Sequence, residues 1–306
     1  MLWVLLRRVA NGILGRRTDG HSVLHGSAPV PALCDSHTCN VMGGTLVVIA
    51  TYNERTNLEP LVMLITALPL QPDVLIVDDN SPDGTGEVAD ALSGRDTQVH
   101  VLHRPKKEGL RHALSAGFEW ALARDYEFIV NIDGDFSHNP ADIPLLISAA
   151  RGSTTSCPGP VADGFDLVIG SRYAGGIRVV NWSRRRLFLS LAAAEYVRRL
   201  TGMIIQDPTS GFRCFRRATL ERLKLTTLHA TGYYFHIETL QRTWRQGGRI
   251  LEVPITYTAR VRGQTKLSLR IVTEALFGCW GLWVENACCR HPRQRAGYSA
   301  GGGRHK

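Results

Sequence analysis

The sequence FIVNIDGD at residues 128–135 joins an apolar run to two aspartates that flank a single glycine. A similar apolar run, VLIV at residues 74–77, is followed at once by Asp78 and Asp79. Such runs are typical of buried strands in a parallel sheet, and ligands bind at the carboxyl edge of such sheets. Carboxylates at that edge suit a divalent metal ion and the phosphates that it carries. The two stretches therefore predict a metal or phosphate site, although exposed turns also use paired aspartates.

Strands and helices alternate outward from these two stretches. Apolar runs predict five strands, at residues 46–49, 74–77, 98–102, 128–132 and 166–170. Apolar residues at helical spacing separate most of them, and Asn139 with Pro140 predicts the start of the helix after the fourth strand. Alternating strands and helices imply a mainly parallel, doubly wound α/β sheet.

The composition limits the classes of partner. The 306 residues carry a formal net charge of +9, which favours an anionic partner: a nucleotide, a lipid phosphate, a membrane surface or nucleic acid. Nucleic acid is not predicted, because the basic residues alternate with acids and no stacking motif accompanies them. Seven cysteines, an odd number, favour a reducing compartment over a disulfide framework. Dinucleotide and P-loop signatures are missing, since Gly84-Thr85-Gly86 lacks the further glycine that they require.

The chain is predicted to contain four segments. Residues 1–43 are predicted to form a flexible N-terminal arm: residues 18–43 lack periodicity, and the Leu-rich residues 1–17 suit either a weak membrane-surface helix or a poorly ordered start. Residues 44–266 are predicted to form a single catalytic domain, and residues 267–290 an amphipathic helix at a membrane interface or packed on the domain. The Gly-rich, basic residues 291–306 are predicted to be a disordered tail. No run reaches the roughly 18 apolar residues of a membrane span.

Six segments, taken together, resemble a known family. Three resemble glycosyltransferase family 2, whose catalytic domain has the GT-A fold: ATYNE at 50–54, VDDNSPDGT at 77–85 and DGDFSH at 133–138. Three others resemble the polyprenyl-phosphate (dolichyl-phosphate) mannose synthases of that family: GSRY at 170–173, DPTSGFR at 207–213, and Arg260 with Gly263 and Lys266. The resemblance covers about residues 45 to 270. It implies a GT-A fold, with a Rossmann-like, mainly parallel sheet flanked by helices.

The resemblance also implies roles for individual residues. The nucleotide sugar would be bound by nine of them: Ala50, Tyr52, Glu54, Val77, Asp79, Asp133, Gly134, Asp135 and Arg172. Among these, Asp79 would recognise the guanosine part. Mg²⁺ or Mn²⁺ would be held by three side chains: Asp133, Asp135 and Ser137. Four residues would be catalytic, and the last two of them would bind the acceptor phosphate: Asp135, Arg172, Arg260 and Lys266.

Two of these motifs leave alternatives open, and two places depart from the family pattern. Residues 51–54 could hold a base and a sugar, or simply begin a helix. Residues 207–213 could form a wall of the active site, or a turn before a helix. Ala50 stands where proline is usual, a change that a backbone contact would survive. Residues 108–111 replace a more glycine-rich run, so that Lys106 and Lys107 before them receive no role.

The resemblance implies inverting transfer of mannose from GDP-mannose to a polyprenyl (dolichyl) phosphate by a metal-dependent enzyme. A metal with oxygen ligands would stabilise the departing diphosphate, and Arg172 would add positive charge there. The lipid phosphate is already an anion near neutral pH, so a strong general base is unnecessary. The protein would act in the cytoplasm, peripherally at the cytosolic face of a membrane, alone or with a membrane-anchoring partner. Trp182 with Arg184, Arg185 and Arg186 suits an anionic membrane surface, or the exposed edge of a packed helix.

Two other functions are kept as alternatives. A family 2 enzyme that uses UDP-glucose or another nucleotide sugar with a lipid-phosphate acceptor fits the same motifs, because no physical argument from the sequence separates guanine from uracil. A non-catalytic subunit that binds a nucleotide, or recruits a partner to the membrane, would carry a degenerate site. Five retained residues argue against that second alternative: Asp133, Asp135, Arg172, Arg260 and Lys266.

Overall fold

The computed structural model of the chain describes residues 44–153, 164–228, 232, 234–259, 278, 280 and 281. The described residues contain nine strands: β1 Gly44–Thr51, β2 Asp73–Asp78, β3 Val99–His103, β4 Tyr126–Asp133, β5 Leu167–Ser171, β6 Val179–Val180, β7 Arg213–Arg216, β8 Ile250–Pro254 and β9 Tyr257–Thr258. They also contain seven longer α-helices: α1 Arg55–Thr66, α2 Thr85–Ser93, α3 Leu110–Leu122, α4 Ile143–Arg151, α5 Arg184–Thr201, α6 Arg217–Leu223 and α7 Tyr234–Arg245. Short 3-10 turns lie at Pro140–Asp142 and Leu225–Thr227.

The five predicted strands are confirmed as β1 to β5, each within about two residues at either end. The helix predicted from Asn139 begins instead as a 3-10 turn, and α4 starts at Ile143. Asn139 still caps this turn, because its side chain accepts a hydrogen bond from Ala141 N at 3.1 Å. The apolar pattern does not predict β7, whose four residues include two arginines.

Seven of the strands form one sheet, in the order β3-β2-β1-β4-β7-β5-β8. β7 runs antiparallel to both of its neighbours, whereas the other neighbouring strands are parallel. The chain moves outward from β1 to β3 and then returns to place β4 on the other side of β1. The strand order therefore reverses between β1 and β4, and ligands bind at the carboxyl ends of the strands at such a switch point. Ala50 pairs with both Val77 and Asp133, so three residues predicted to bind the nucleotide meet at one edge.

Two apolar layers hold the helices against the sheet. On β1, Leu46 and Val48 belong to one layer and Val47 and Ile49 to the other, because side chains alternate along a strand. All four are fully buried, and burying an apolar side chain of this size contributes about 1.5–3 kcal/mol. α3 approaches the first layer closely at Gly117, where an added Cβ would lie 2.7 Å from Val48 Cγ1. The predicted mainly parallel α/β fold is confirmed.

A separate two-stranded ribbon, β6 with β9, connects to the carboxyl edge of the sheet. Thr258 N in β9 donates to Ser137 O at 3.0 Å. Arg178 N, just before β6, donates to Arg172 O at 2.9 Å. The ribbon therefore lies beside the segments that follow β4 and β5, where the predicted site residues are found.

Several predicted segments lie beyond the described residues. The arm, the end of the catalytic domain and the tail fall outside them, so those boundaries stay predictions. Of the helix predicted at residues 267–290, Gly278, Trp280 and Gly281 are described, and all three are helical. Among the described residues, no helix combines the length and the apolar character that a membrane crossing requires.

Candidate active site

The turn at residues 133–137, here called the aspartate turn, follows β4. Asp133 ends the strand and is partly exposed, whereas Asp135 is buried. Phe136 has a φ of 58°, in the left-handed region, and the tight turn brings Ser137 back onto Asp135. Asp135 Oδ1 accepts from Ser137 N at 3.0 Å and from Ser137 Oγ at 2.5 Å. The three side chains predicted to hold a metal ion thus lie within one short turn.

The backbone of Gly211 lies close to the Asp133 carboxylate. A Cβ added to Gly211 would lie 3.2 Å from Asp133 Oδ1 and 3.5 Å from Oδ2, so a larger residue there would crowd the carboxylate. Two carboxylates and a hydroxyl are hard oxygen donors, which suit Mg²⁺ or Mn²⁺ when substrate phosphates complete the coordination. In the part of the chain that the structure describes, His, Cys, Asp and Glu form no metal-binding group of three or more. The residues therefore fit an ion that binds together with a diphosphate.

Two buried histidines lie beside the aspartate turn. His138 Nδ1 is 3.7 Å from Asp133 Oδ2, and a Cβ added to Gly211 would lie 3.4 Å from His236 Nε2. Burial lowers the pKa of His138 to about 4, although the nearby Asp135 opposes this. Burial also lowers the pKa of His236 well below its ordinary value. Both rings are therefore neutral at pH 7 and add no charge to the site.

Arg172 is fixed by Asp207 through a bidentate ion pair. Its backbone N and Nε donate to Asp207 Oδ2 at 2.9 and 2.7 Å, and its Nη2 donates to Oδ1 at 2.5 Å. Nη2 also donates to Thr209 Oγ1 at 2.8 Å. Burial alone would lower the pKa of the Arg172 guanidinium, but the Asp207 carboxylate outweighs burial and raises that pKa above its ordinary value. Arg172 therefore keeps its positive charge in a buried position.

The loop that carries Asp207 is itself held from two sides. Glu252 Oε1 accepts from Asp207 N at 2.8 Å. Arg213 is fully buried and donates to three backbone carbonyls: Pro208 O at 2.8 Å, Ser210 O at 2.8 Å and His236 O at 2.6 Å. The position of the Asp207 carboxylate, and with it that of Arg172, therefore depends on groups on β7, β8 and α7.

Aromatic rings connect Arg172 to the aspartate turn. Three ring centroids surround its guanidinium carbon: Tyr173 at 5.3 Å, Trp182 at 5.6 Å and Tyr257 at 5.5 Å. These distances fit cation–π contacts. Tyr257 also packs edge-on against His138, with 5.2 Å between ring centroids. Burial raises the pKa of the Tyr257 phenol; a hydrogen bond with Ser137 opposes this, and the charges of the two aspartates add to it. Tyr257 is thus a common neighbour of the cation and the carboxylates.

The predicted nucleotide-binding residues of β1 and β2 line the adjacent strand ends. Glu54 is buried and accepts from Asn57 Nδ2 at 2.9 Å. It lies against Gly134 of the aspartate turn, where an added Cβ would be 3.7 Å from Glu54 Cγ. Tyr52 is half-buried, and Lys107 Nζ lies 3.7 Å from the centroid of its ring. Lys107, to which sequence analysis assigns no role, therefore covers a face of a predicted nucleotide-binding residue.

Asp79, predicted from the resemblance to recognise guanosine, lies in a buried position just after β2. Its buried carboxylate accepts hydrogen bonds from three donors: from Arg104 Nη1 at 2.5 Å, from Glu108 N at 3.1 Å and from Gly109 N at 2.8 Å. These bonds hold the loop at residues 104–109 against the end of β2. In this structure Asp79 is a loop anchor, and the loop that it anchors carries Lys107 to the ring of Tyr52.

The structure brings most of the predicted site residues to one edge of the sheet, with two exceptions. Arg260 and Lys266, predicted to bind the acceptor phosphate, lie outside the described residues. Two residues of the site were not predicted individually. Asp207 pairs with a residue 35 positions away, and only its place in the motif at 207–213 pointed toward the site. Tyr257 lies in a two-residue strand and gave no sequence signal.

Comparison with known proteins assigns the chain to a family. Residues 46–224 match the family described as Glycosyl transferase family 2. The chain belongs to glycosyl transferase family 2. The predictions of a glycosyltransferase and of this family are therefore confirmed.

Curated relatives of this family 2 chain have names of one kind. The polyprenol monophosphomannose synthase of Mycolicibacterium smegmatis is 44% identical over 241 residues, which cover 78% of this chain and 87% of the relative. The undecaprenyl-phosphate mannosyltransferase of Micrococcus luteus is 43% identical, with coverage of 78% and 93%. The dolichol-phosphate mannosyltransferase of Pyrococcus furiosus is 36% identical, with coverage of 75% and 61%. The predicted resemblance to polyprenyl-phosphate mannose synthases is confirmed.

Solved structures of another protein share the fold of this family 2 domain. The glucosyl-3-phosphoglycerate synthase of Mycobacterium tuberculosis, in complex with Mn²⁺, UDP and phosphoglyceric acid, superposes with a TM-score of 0.57 at 21% identity. The match covers 78% of each chain. The same enzyme in complex with Mg²⁺ and UDP gives a TM-score of 0.55 at 22% identity, over 78% of this chain and 80% of the other. The predicted GT-A fold is confirmed.

Proposed function

We propose that this family 2 glycosyltransferase transfers mannose from GDP-mannose to a polyprenyl phosphate, with inversion at the anomeric carbon and with Mg²⁺ or Mn²⁺. One observation carries the proposal: two carboxylates and a fixed, buried guanidinium lie together beside Tyr257 at the switch point of the sheet. Such a pairing of charges suits a sugar diphosphate and its counter-ion. The names of the three curated relatives support mannose as the sugar and a polyprenyl phosphate as the acceptor.

The aspartate turn would hold the metal ion through Asp133, Asp135 and Ser137. An ion held there supplies Lewis-acid stabilisation to the leaving diphosphate. The turn itself contributes rigidity, because Ser137 donates twice to Asp135 and Gly134 packs on Glu54. The carboxylates are thereby held in position before the donor arrives.

Arg172 would stabilise the charge that develops on the departing GDP. Its guanidinium is oriented by Asp207, so it has little rotational freedom to lose when a phosphate binds. The surrounding rings keep water away from it and strengthen its electrostatic effect. Asp79 would contribute to guanosine binding through the loop at residues 104–109, and Tyr52 with Lys107 would border the base.

The acceptor phosphate would attack directly, without a general base. A phosphate monoester is an anion near neutral pH, so its oxygen needs no proton removed before it attacks the anomeric carbon. A single displacement of this kind inverts the configuration at that carbon. Arg260 and Lys266 would bind the acceptor phosphate and offset its repulsion from the donor diphosphate. We propose that the protein acts peripherally at the cytosolic face of a membrane, alone or with a membrane-anchoring partner.

The test is transfer of labelled mannose from GDP-mannose to a short polyprenyl phosphate in detergent, with Mg²⁺ or Mn²⁺. Asp135→Asn should reduce kcat by about 100-fold or more, because the metal ion that would stabilise the leaving diphosphate loses a charged ligand. Glu119→Ala, an exposed change on α3, is the matched control and should leave kcat unchanged.

Three outcomes would contradict parts of this proposal. Faster turnover with UDP-glucose than with GDP-mannose would show that GDP-mannose is not the preferred donor. GDP binding by calorimetry, without transfer to any lipid phosphate, would favour the non-catalytic subunit. Full activity in the presence of a chelator would remove the metal from the proposal.

A further inference from the structure

The segment at residues 177–189, which contains β6 and the start of α5, exposes large apolar side chains together with arginines. Its exposed residues Ile177, Arg178, Val180, Arg184, Arg185 and Leu189 are here called the arginine–leucine surface. Leu189 is 67% exposed, Ile177 55% and Val180 42%. The arginines of this surface are exposed as well. An exposed leucine is ordinary by itself, whereas apolar side chains grouped with cations indicate a binding surface.

The first half of α5 contributes no residue to the core. Its buried residues are Ala194, Val197 and Thr201, all in the second half of an 18-residue helix. The first half contains Leu187, Phe188, Leu189 and Leu191, and none of these four is buried. A surface helix of a globular protein normally turns its apolar stripe toward the core. The first half of α5 is therefore stabilised less by burial than its composition would allow.

The charge of this segment selects an anionic partner. From residue 177 to residue 194 the chain has four arginines and neither aspartate nor glutamate. Arg184, Arg185 and Arg186 occupy the first turn of α5. The positive end of the helix dipole lies at this turn and adds to their positive charge. Exposed leucine and isoleucine among the arginines favour a lipid surface over nucleic acid, since the apolar side chains gain from contact with acyl chains.

Arg186, which follows Arg185 in the first turn of α5, links the arginine–leucine surface to the active site. Arg186 lies over the ring of Trp182, at 4.2 Å from its centroid. Trp182 packs edge-on against Tyr257 at 5.4 Å and lies 5.6 Å from the Arg172 guanidinium. A lipid headgroup held at this surface would therefore be a few side chains away from the cation that faces the reaction.

We propose that the arginine–leucine surface binds the anionic face of a lipid bilayer, with Leu189 and Ile177 inserted among the lipids and the arginines at the headgroups. The inference rests on the proposed function, because a polyprenyl phosphate is carried by a membrane. It deepens that function by assigning the side of the protein on which the membrane lies. The bilayer would thus deliver the acceptor phosphate next to Trp182 and Arg172.

The test is co-sedimentation of the full chain with vesicles of phosphatidylcholine, with and without phosphatidylglycerol, in the absence of any donor. The wild-type protein should co-sediment with the anionic vesicles, and the bound fraction should fall as the salt concentration rises. Arg184→Gln with Arg185→Gln should weaken that binding by about 25-fold, at about fivefold for each arginine. Leu189→Asp should weaken binding to the same vesicles by about tenfold or more, because an apolar contact is replaced by a like charge.

The matched control is Met63→Asp with Leu64→Asp, two exposed apolar residues of α1. This control should bind vesicles as wild type does. GDP binding should be unchanged in every variant, which shows that each one is folded. Unchanged vesicle binding by both surface variants would overturn the inference, and so would a dimer in solution that Leu189→Asp dissociates. Failure of mannose transfer in detergent would count against the proposed function alone, because vesicle binding needs no reaction.

Discussion

At the scale of single residues, two buried arginines close to one loop serve different purposes. Arg172 has a carboxylate partner in Asp207, which keeps its pKa above the ordinary value despite burial. Arg213 donates to backbone carbonyls, and burial lowers its pKa to about 9. The first group can present a charge to a phosphate, whereas the second fixes the backbone on which Asp207 stands.

We expect Asp207→Asn to destabilise the protein by about 3–5 kcal/mol, because it leaves the buried Arg172 charge without its counter-charge. Urea unfolding measures this change. Thr209→Ala removes one hydrogen bond to the same guanidinium and should cost about 1 kcal/mol. If Asp207→Asn costs no more than this control, the ion pair does not hold Arg172.

The aspartates could be predicted from the sequence, whereas their neighbours could not. Asp133 and Asp135 follow directly from a buried strand, so the local pattern fixes their position at the sheet edge. The pairing of Arg172 with Asp207 depends on where two distant segments meet, and no local pattern contains that information. The anchoring role of Asp79 is of the same kind, because it depends on the path of the loop at 104–109.

At the scale of elements, the packing of α3 on the sheet depends on one missing side chain. Gly117 allows the helix to approach Val48 of β1, whose Cγ1 an added Cβ would meet at 2.7 Å. Real Cβ contacts are not this short, so a larger residue would push the helix away from β1. α3 also contributes Leu114 and Phe118 to the same layer, and both would shift with it.

We expect Gly117→Ala to lower the free energy of unfolding by about 1–2 kcal/mol. Overpacking costs about 1–3 kcal/mol, and the better helix propensity of alanine offsets up to about 1 kcal/mol of that. Glu119→Ala, on the exposed side of the same helix, should stay within about 0.5 kcal/mol of wild type. A Gly117→Ala protein more stable than wild type in urea would show that α3 does not pack as described.

The elements that the sequence predicts are those with a continuous apolar pattern. β1, β2, β4 and β5 have such a pattern, because most of their side chains are buried on both faces of the sheet. β3 lies at the edge of the sheet and is mostly half-buried, but its valines and leucine still give an apolar pattern. β7 has the sequence RCFR, whose two outer arginines interrupt the apolar pattern of a strand. Its strand conformation is evident only from its pairing with β4 and β5. The 3-10 turn after Asn139 also escapes prediction, since its cap and proline equally suit an α-helix.

At the scale of the whole molecule, we expect stability to fall as pH falls from 7 to 5. The pKa values of His138 and His236 are lowered by folding, so the unfolded chain binds more protons than the folded one in this range. Each buried histidine should cost about 2 kcal/mol at pH 5, if its unfolded pKa is near 6.5.

Urea unfolding at pH 7 and pH 5, with a chelator present, measures this difference. His236→Gln should reduce the loss of stability between the two pH values, because one of the two groups no longer takes up a proton on unfolding. The control is His112→Gln, a less buried histidine of α3. A pH dependence that His236→Gln leaves unchanged would contradict the expected protonation of this residue on unfolding.

The insertion of β7 between β4 and β5 has a consequence during synthesis. β2, β3 and β4 can each pair as soon as they leave the ribosome, because each has a neighbour earlier in the chain. β5 cannot, since its partners β7 and β8 both emerge later. The second edge of β4 also stays unpaired until β7 is made, because Phe128 pairs with Arg216. A nascent chain paused before Arg213 therefore exposes the open edge of β4 and an unpaired β5. Slow codons or a chaperone at that interval would decide whether these edges find β7 or another chain.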